Sequence, residues 1–193
     1  MHYGAIKKFD IANGEGIRTT LFVSGCRNRC PGCFQPETWA FDYGREFDSR
    51  AAEEIFESLK ISSVRGVTIL GGEPMEPENQ VGLLPLLKEV KERFPDKTVW
   101  LYTGNLYEEL VGEVGSHEKC LDITSELLSY VDILVDGRFV ESEARLGLRF
   151  RGSANQRIID MNKTREAGKV VIWHGCDGDK NYAEGKQNNE SEN

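Results

Sequence analysis

The sequence predicts a single α/β domain in which βα repeats build a mainly parallel sheet, either open or curled into part of a barrel. Short apolar runs rich in β-branched residues alternate with longer segments whose apolar residues recur at helical spacing. Strands and helices that alternate in this way form βα units, whose strands lie parallel. With 193 residues, of which 39% are hydrophobic, the chain can bury one sizeable core, and a second full domain is not expected.

The elements follow one another in a regular order. The apolar runs predict strands over 17–23, 66–70, 97–102, 131–136 and 156–160. Between these runs, the apolar spacing predicts helices over 48–60, 80–94 and 123–130. In the second helix, Pro85 is expected either to open the regular helix or to kink it.

We divide the chain into a domain over residues 1–163 and a C-terminal extension over residues 164–193. The extension contains one short apolar patch and then a polar end rich in Gly, Asn and Glu. Such a composition buries too little apolar surface to offset the entropy of ordering it. The last fifteen or so residues are therefore expected to be disordered.

Composition excludes several classes of protein. A formal net charge of -8 argues against nucleic acid as a partner, because nucleic-acid binders concentrate lysine and arginine. The sequence contains no apolar run of secretory or membrane-spanning length. Five cysteines, three of them close together, do not suggest the disulfide framework of a secreted protein. We expect a cytoplasmic protein in a reducing compartment, with no nucleic-acid partner and no membrane partner.

Three cysteines lie within eight residues after the first predicted parallel strand. Cys26, Cys30 and Cys33 share a loop that glycine and proline make tight, so that three thiolates can converge on one metal centre. A structural zinc site or a ferredoxin-type cluster would need a fourth ligand. The remaining histidines and cysteines are far away in sequence: His2, His117, Cys120, His174 and Cys176. The spacing therefore predicts a cluster with one iron left open for chemistry, and a buried or zinc-bound structural loop is the alternative.

A second group of candidate residues follows the next strands. The turn "GGEP" begins at Gly71, directly after the second parallel strand, and ligands of such folds lie beyond the carboxyl ends of the strands. Thr103, Gly104 and Asn105 follow the third strand, and Asp136 ends the fourth. These residues either line the same pocket or are ordinary turn residues at strand ends.

The motif CxxxCxxC after the first strand of a βα fold is the hallmark of radical S-adenosylmethionine enzymes. Within them, the sequence resembles the activating proteins of anaerobic (class III) ribonucleoside-triphosphate reductases. The resemblance is carried, in order, by the segments 10–39, 70–79, 99–105, 131–139 and 150–160. The block "RGSxNQ" at Arg151 to Gln156 separates this family from other activating enzymes.

Two positions depart from the usual pattern. Glu15 stands where the family has proline in "NGPG", which leaves that turn less stiff. Gly32 stands before the third cysteine, where an aromatic residue is frequent in the superfamily, and the ring follows at Phe34.

The resemblance implies an incomplete, partial TIM-like radical SAM barrel and a site at its rim. Cys26, Cys30 and Cys33 would be the catalytic ligands of one 4Fe-4S cluster, whose open iron binds the amino and carboxylate groups of S-adenosyl-L-methionine. The "GGE" turn would lie against the ammonium of this cofactor, and backbone groups of residues 32–34 against its adenine. The cofactor-binding residues are then expected to be Gly32, Cys33, Phe34, Gly71, Gly72, Glu73, Thr103 and Asp136.

The resemblance also implies the reaction and the partners. Reductive cleavage of S-adenosylmethionine would give a 5′-deoxyadenosyl radical, which abstracts hydrogen from a glycine of the reductase to form a glycyl radical. The partners are then the anaerobic reductase and a low-potential electron donor such as flavodoxin or ferredoxin. The alternatives are an activase of a different glycyl radical enzyme, a small-molecule radical enzyme such as a deazapurine synthase, and a non-catalytic binding module.

We expect structural or docking roles for several other residues. Arg151, Asn155 and Gln156 are expected in packing or in partner docking. Trp39, Trp100 and Trp173 are expected as core or interface aromatics. A second metal site at 116–120 or 174–176 is not expected, because each segment lacks companion ligands.

Overall fold

The computed structural model describes residues 1–115 and 118–175, which form one α/β unit. The elements in chain order are β1 (His2–Asp10), β2 (Ile17–Val23), β3 (Arg45–Glu46), α1 (Ser49–Leu59), β4 (Val64–Gly71), α2 (Pro77–Arg93), β5 (Thr98–Tyr102), α3 (Tyr107–Leu110), α4 (Thr124–Ser129), β6 (Ile133–Asp136), β7 (Arg157–Asp160) and α5 (Met161–Ala167). Two short 3₁₀ turns cover Pro36–Trp39 and Glu141–Glu143.

All seven strands of the described residues belong to one mixed sheet in the order β3-β1-β2-β4-β5-β6-β7. Strands β2, β4, β5 and β6 are parallel neighbours, as the alternation of strands and helices predicted. The sheet begins with β3 at one edge and ends with β7 at the other, and it does not close. The α/β class is therefore confirmed, whereas the partial barrel is not.

The antiparallel additions were not predicted. Strand β1 pairs antiparallel with both β2 and β3, and its sequence "HYGAIKKFD" does not form the apolar run of a buried strand. Strand β7 lies where a strand was predicted, but it runs antiparallel to β6. The connection from β6 to β7 contains no crossover helix longer than the 3₁₀ turn at Glu141–Glu143, and a parallel pairing needs such a crossover.

The three predicted helices are present as α1, α2 and α4. Helix α2 begins at Pro77, so Pro85 lies inside the helix and does not open it. Pro85 is on an exposed face, and Val81, whose carbonyl loses its usual N–H partner, is exposed too. Solvent can therefore satisfy the carbonyl that proline leaves without a donor.

The two faces of the sheet are covered differently. The main core contains apolar residues of α1, α2 and α4 packed on alternate residues of the strands, such as Leu21, Ile69 and Leu101. The opposite face carries a smaller cluster around Trp100, Val135, Ile158 and Trp173. The helices thus shield one face, and the other face remains available to build a cavity.

The first part of the predicted C-terminal extension is ordered against the sheet. Helix α5 crosses the predicted boundary at residue 163, and the backbone N–H of Asp160 donates to Val171 O at 2.9 Å. Trp173 N donates to Ile158 O at 2.8 Å. The predicted disordered tail lies outside the described residues. Among the described helices, none is both long and apolar enough to span a membrane.

Candidate functional site

A cavity of about 530 Å³ opens beyond the carboxyl ends of the parallel strands and is lined by all three clustered cysteines. The loops after β2, β4, β5 and β6 all contribute to its wall. The predicted residues on this wall are Cys26, Cys30, Cys33, Phe34, Gly71, Gly72, Glu73, Thr103, Gly104, Arg151 and Gln156. The structure therefore brings together most of the residues that the sequence singled out.

Backbone hydrogen bonds hold the loop that carries the cysteines. Gly25 N donates to Thr38 O at 2.8 Å, and Cys26 N donates to Trp39 O at 3.2 Å. A tight turn follows, in which Cys33 N donates to Cys30 O at 3.2 Å. The first two bonds attach the start of the loop to the first 3₁₀ turn, the third closes a turn within the loop, and all three cysteines line the cavity.

The three thiols differ in environment. Cys26 is buried, whereas Cys30 and Cys33 are partly exposed, and none of them forms a disulfide. Burial raises the pKa of the Cys26 thiol to about 11, although backbone N–H groups of Asn28 and Arg29 donate to it and oppose the shift. Cys26 must therefore lose a tightly held proton before it can bind a metal as thiolate.

The donor set suits an iron-sulfur cluster. Three unoxidised thiols of one loop line one cavity, and thiolates are the ligands that such clusters prefer. Within residues 1–115 and 118–175, no three Cys, His, Asp or Glu side chains are already gathered closely enough to hold a single metal ion. The three thiols thus line the same cavity, but they do not surround a single metal position. His117 and Cys176 lie outside the described residues.

The "GGE" turn packs directly on the cysteine loop. Gly72 N donates to Val23 O at 2.7 Å, and Glu73 N donates to Gly25 O at 2.8 Å. A Cβ on Gly72 would stand 2.6 Å from Gly25 O, and one on Gly71, whose φ is +112°, would stand 2.6 Å from Val23 O. Both positions need glycine because backbone approaches backbone. A bulky residue at position 72 would displace the backbone just before Cys26.

Glu73 is the meeting point of three loops. The carboxylate is buried and accepts four hydrogen bonds, two on each oxygen. Oε1 accepts from Thr103 Oγ1 at 2.7 Å and from Met75 N at 2.9 Å. Oε2 accepts from Asn28 Nδ2 at 2.7 Å and from Gly104 N at 2.8 Å. Glu73 therefore joins the loops after β2, β4 and β5. The sequence predicted contact with a cofactor cation but did not predict this structural role.

Asn28 is a site residue that sequence reasoning missed. It lies between Cys26 and Cys30, and its Nδ2 donates to Glu73 Oε2 at 2.7 Å. A Cβ on Gly104 would stand 2.5 Å from Asn28 Nδ2, so the glycine after β5 makes room for this amide. The sequence signal that could have identified Asn28 was its position as a polar residue between two of the clustered cysteines.

A second missed group fastens the outer side of the cysteine loop. Glu76 is fully buried and accepts from Arg27 N at 2.8 Å, from Arg27 Nη1 at 2.7 Å and from Lys119 Nζ at 2.6 Å. Arg27 also pairs with Glu78, and its guanidinium lies 4.3 Å from the centre of the Phe41 ring. A buried carboxylate needs cationic partners because the protein interior does not solvate its charge, and Glu76 has two such partners.

Asp136 has a different role from the one expected of it. Its buried carboxylate accepts from Tyr107 N at 2.8 Å and from Arg157 Nε at 2.9 Å. Asp136 and Glu108 together raise the pKa of the Arg157 guanidinium. The carboxylate thus binds α3 and β7 to the end of β6, while the neighbouring Gly137 lines the cavity. Asp136 itself is not among the residues that line the cavity.

The segment expected near an adenine forms part of the rim. Phe34 is 78% exposed, and its ring centre lies 5.1 Å from that of Phe139 in the loop after β6. A Cβ on Gly32 would stand 2.7 Å from the carboxyl carbon of Glu141. The cysteine loop and the loop after β6 therefore touch on two sides of Cys33.

The late block "RGSANQ" ties the loop after β6 to the start of β7. Gln156 Oε1 accepts from Gly152 N at 2.7 Å and from Ser153 N at 3.1 Å, and Gln156 Nε2 donates to Gly137 O at 2.9 Å. Asn155 Nδ2 donates to Arg138 O at 2.8 Å. Arg151 Nη1 donates to Gln156 O at 2.9 Å. These bonds are consistent with the packing role that the sequence allowed.

The tryptophans divide between core and cavity. Trp100 and Trp173 are buried against each other with ring centres 5.1 Å apart, as expected of core aromatics. Trp39 lines the cavity.

Comparison with known proteins identifies a domain family and a set of relatives. Residues 12–159 match the family described as a 4Fe-4S single cluster domain. A protein of Pasteurella multocida is 40% identical over 160 residues, which cover 82% of this chain and 96% of the relative. Proteins of phage T4 and Escherichia coli K12 are 37% and 33% identical, over 82% of this chain and 93% and 97% of their own lengths. All three are named anaerobic ribonucleoside-triphosphate reductase-activating protein.

Proposed function

Because the chain belongs to the family of anaerobic ribonucleoside-triphosphate reductase-activating proteins and contains a 4Fe-4S single cluster domain, we propose that it activates an anaerobic ribonucleoside-triphosphate reductase. The observation that carries the proposal is the cavity in which three free cysteine thiols of one loop face the "GGE" turn. A small-molecule radical enzyme would use the same thiols, but the named relatives favour a protein substrate.

Cys26, Cys30 and Cys33 would hold a 4Fe-4S cluster through three of its irons and leave the fourth for S-adenosyl-L-methionine. When bound, the cluster supplies the electron that splits this cofactor into methionine and a 5′-deoxyadenosyl radical, which takes a hydrogen atom from a glycine of the reductase.

The chain's own residues position and shield these groups. Gly71 and Gly72 let the turn pack against the backbone at Val23 and Gly25, because a Cβ on either glycine would clash there. Glu73 keeps the loops after β2, β4 and β5 at fixed distances, because each of its oxygens accepts from two donors. Apolar lining residues such as Phe22, Leu70 and Leu148 exclude water from the space beside the thiols.

The proposal extends to architecture and location. The cavity lies at the carboxyl end of the parallel strands, which supports a sheet curled as part of a barrel around it. Four cysteines of the described residues are free thiols, which supports a reducing cytoplasm. A low-potential electron carrier would reduce the protein there. No nucleic-acid or membrane partner is proposed.

The test is anaerobic reconstitution with iron and sulfide, followed by addition of dithionite and S-adenosylmethionine. The proposal predicts a brown protein that forms methionine and 5′-deoxyadenosine in equal amounts. Reconstituted protein with a full cluster and no cleavage would contradict the proposed chemistry. Cleavage without any effect on the reductase would favour the small-molecule alternative.

A further inference from the structure

The cysteine loop and the loop after β6 form one surface at the mouth of the cavity. The rings of Phe34 and Phe139 meet at 5.1 Å, and the Glu141 carboxyl group packs on Gly32. Arg138 of the second loop lines a smaller cavity of about 370 Å³ together with Asn28 of the first and with both acidic and cationic side chains of neighbouring segments. We call the exposed part of residues 24–35 and 137–151 the basic rim.

The basic rim is positively charged in an acidic protein. Residues 24–35 contain two arginines and no acidic residue, and residues 137–151 contain four arginines and two glutamates. The two complete segments thus carry a formal charge of +4, of which the pairing of Arg27 with Glu76 and Glu78 offsets a part, while the whole chain carries -8. A local charge opposite to that of the rest of the protein marks a surface that attracts an acidic partner.

Part of this charge is available to a partner. Arg29, Arg138 and Arg145 are exposed, and their guanidinium groups form no ion pair within residues 1–115 and 118–175. Arg27, by contrast, is held by Glu76 and Glu78. Two exposed apolar side chains, Phe34 and Leu146, lie on the same two loops and offer contact area beside the charges.

We propose that the basic rim docks an acidic, low-potential electron-carrier protein; this inference rests on the proposed function. Each docking event would pass one electron, so the carrier is oxidised by one electron and the cluster held by the cysteine loop is reduced by one. Negative charge around a redox group disfavours its reduction, and low-potential carriers are therefore acidic near that group. Such carriers use small, transient and charged interfaces.

The location favours the carrier over the reductase as occupant. A glycine that loses hydrogen to a radical must come within van der Waals contact of it, so the reductase segment has to enter the cavity. The cavity that this segment would enter is lined by residues such as Phe22, Trp39, Leu70 and Leu148. An electron carrier needs only to approach the cluster from outside, where Arg29 lies between Cys26 and Cys33 on the exposed side of the loop.

The test uses the double variant Arg138→Glu/Arg145→Glu of the full chain. Arg29 is left unchanged, because it has a φ of +46° and lies between the ligand cysteines. The matched control is Arg50→Glu, which reverses an exposed arginine on α1, on the helix-covered face of the sheet. Binding of oxidised flavodoxin is measured by calorimetry at low and at high salt, with protein that carries no cluster and with reconstituted protein.

We expect the double variant to weaken flavodoxin binding by roughly tenfold or more at low salt, with a smaller difference at high salt, since steering by surface charge is screened by ions. Arg50→Glu should bind as the unmodified protein does. Equal binding by the double variant and the control would overturn the proposal.

A chemical reductant separates the docking step from the proposed chemistry. The double variant should cleave S-adenosylmethionine slowly with reduced flavodoxin and at the normal rate with dithionite. If it cleaves normally with dithionite but no longer forms a radical on the reductase, the rim docks the reductase and the inference is wrong. If the unmodified protein fails with dithionite, the proposed function fails, while the binding measurement still decides whether the rim recognises the carrier.

Discussion

At the scale of single residues, the site depends on one buried carboxylate. Glu73 accepts from a side chain of the cysteine loop, from a side chain and a backbone N–H after β5, and from its own turn. With four donors, the carboxylate has no acceptor position left unused. Any change at Glu73 therefore acts first on the spacing of the loops and then on whatever the cavity binds.

Glu73→Gln should destabilise the protein without any cofactor present. The new amide NH₂ group would face the two donors, Asn28 Nδ2 and Gly104 N, that now bond to Oε2. These donors would lose their acceptor, and an unsatisfied buried group costs about 1–3 kcal/mol. Denaturant unfolding of protein without a cluster measures the loss. Glu92→Gln, an exposed change on α2, is the control and should stay within about 0.5 kcal/mol. Equal stability of the two variants would show that the four hydrogen bonds contribute nothing.

Each of Cys26→Ala, Cys30→Ala and Cys33→Ala should abolish cleavage of S-adenosylmethionine, because two thiolates cannot hold three irons. Iron and sulfide content after reconstitution gives a second measurement that does not depend on activity. Cys120→Ala and Cys176→Ala should keep both the cluster and the cleavage. Normal cleavage by reconstituted Cys30→Ala would disprove the assignment of the ligands.

At the scale of secondary-structure elements, the site is held by the order of the parallel strands. Strands β2, β4 and β5 are neighbours, so the turns that follow them meet at one edge of the sheet. The pairing of β2 with β4 continues to Val23 and Gly71, and the next residues, Gly72 and Glu73, bond to the start of the cysteine loop. The spacing of the motifs thus follows from strand register.

This order explains what the sequence could predict. Strands such as 17–23 are buried apolar runs, and the residues after them were correctly expected at one cavity. Strand β1 was missed because charged Lys7 and Lys8 interrupt its pattern, in a part of the strand that β3, paired only at His2 and Tyr3, does not cover. Asp136 was expected in the cavity because it ends a strand, but its carboxylate accepts from Arg157 of β7, whose antiparallel pairing with β6 was not predicted.

Two glycine variants should separate assembly of the cluster from binding of S-adenosylmethionine. Gly72→Val should lose both, because its side chain would displace the backbone at Gly25 O and Thr38 O. Gly104→Ala should keep the cluster and weaken binding, because its Cβ meets only the movable amide of Asn28 and the edge of Glu73. The measurements are iron content and the change that the cofactor makes in the EPR signal of the reduced cluster.

Gly4→Ala, a change in β1 outside the cavity lining, is the control for both variants, since its Cβ would chiefly meet the ring of Tyr43. A full cluster in Gly72→Val would show that the turn does not support the cysteine loop. Unchanged binding in Gly104→Ala would show that Asn28 and Glu73 do not position the cofactor.

At the scale of the whole molecule, the ordered part of the C-terminal extension belongs to the domain. Ile172 pairs with Ile159 of β7, and Trp173 packs on Trp100 and Phe150 with ring centres 5.1 and 6.3 Å apart. We predicted the boundary between domain and extension at residue 163 because the polar composition begins there. Composition does not reveal that one aromatic residue, Trp173, anchors the segment that follows. A chain ending near Ile172 would lack this anchor.

A chain ending at Gly175 should fold and cleave S-adenosylmethionine normally, whereas a chain ending at Ile172 should be less stable. Loss of a buried tryptophan costs about 3–5 kcal/mol. Thermal unfolding of the two truncated chains and of Trp173→Ala in the full chain measures the difference. Equal stability of both truncated chains would mean that Trp173 does not anchor the extension.

The central claim, that this chain installs a radical on a glycine of an anaerobic ribonucleotide reductase, is tested most directly by EPR spectroscopy. The full chain, reconstituted with iron and sulfide, is incubated anaerobically with the cognate reductase, S-adenosylmethionine and dithionite. We predict a doublet from a glycyl radical, which collapses to a singlet when the reductase contains α-deuterated glycine, since the splitting comes from the remaining α-hydrogen. Cleavage of S-adenosylmethionine with no doublet on the reductase would contradict the claim.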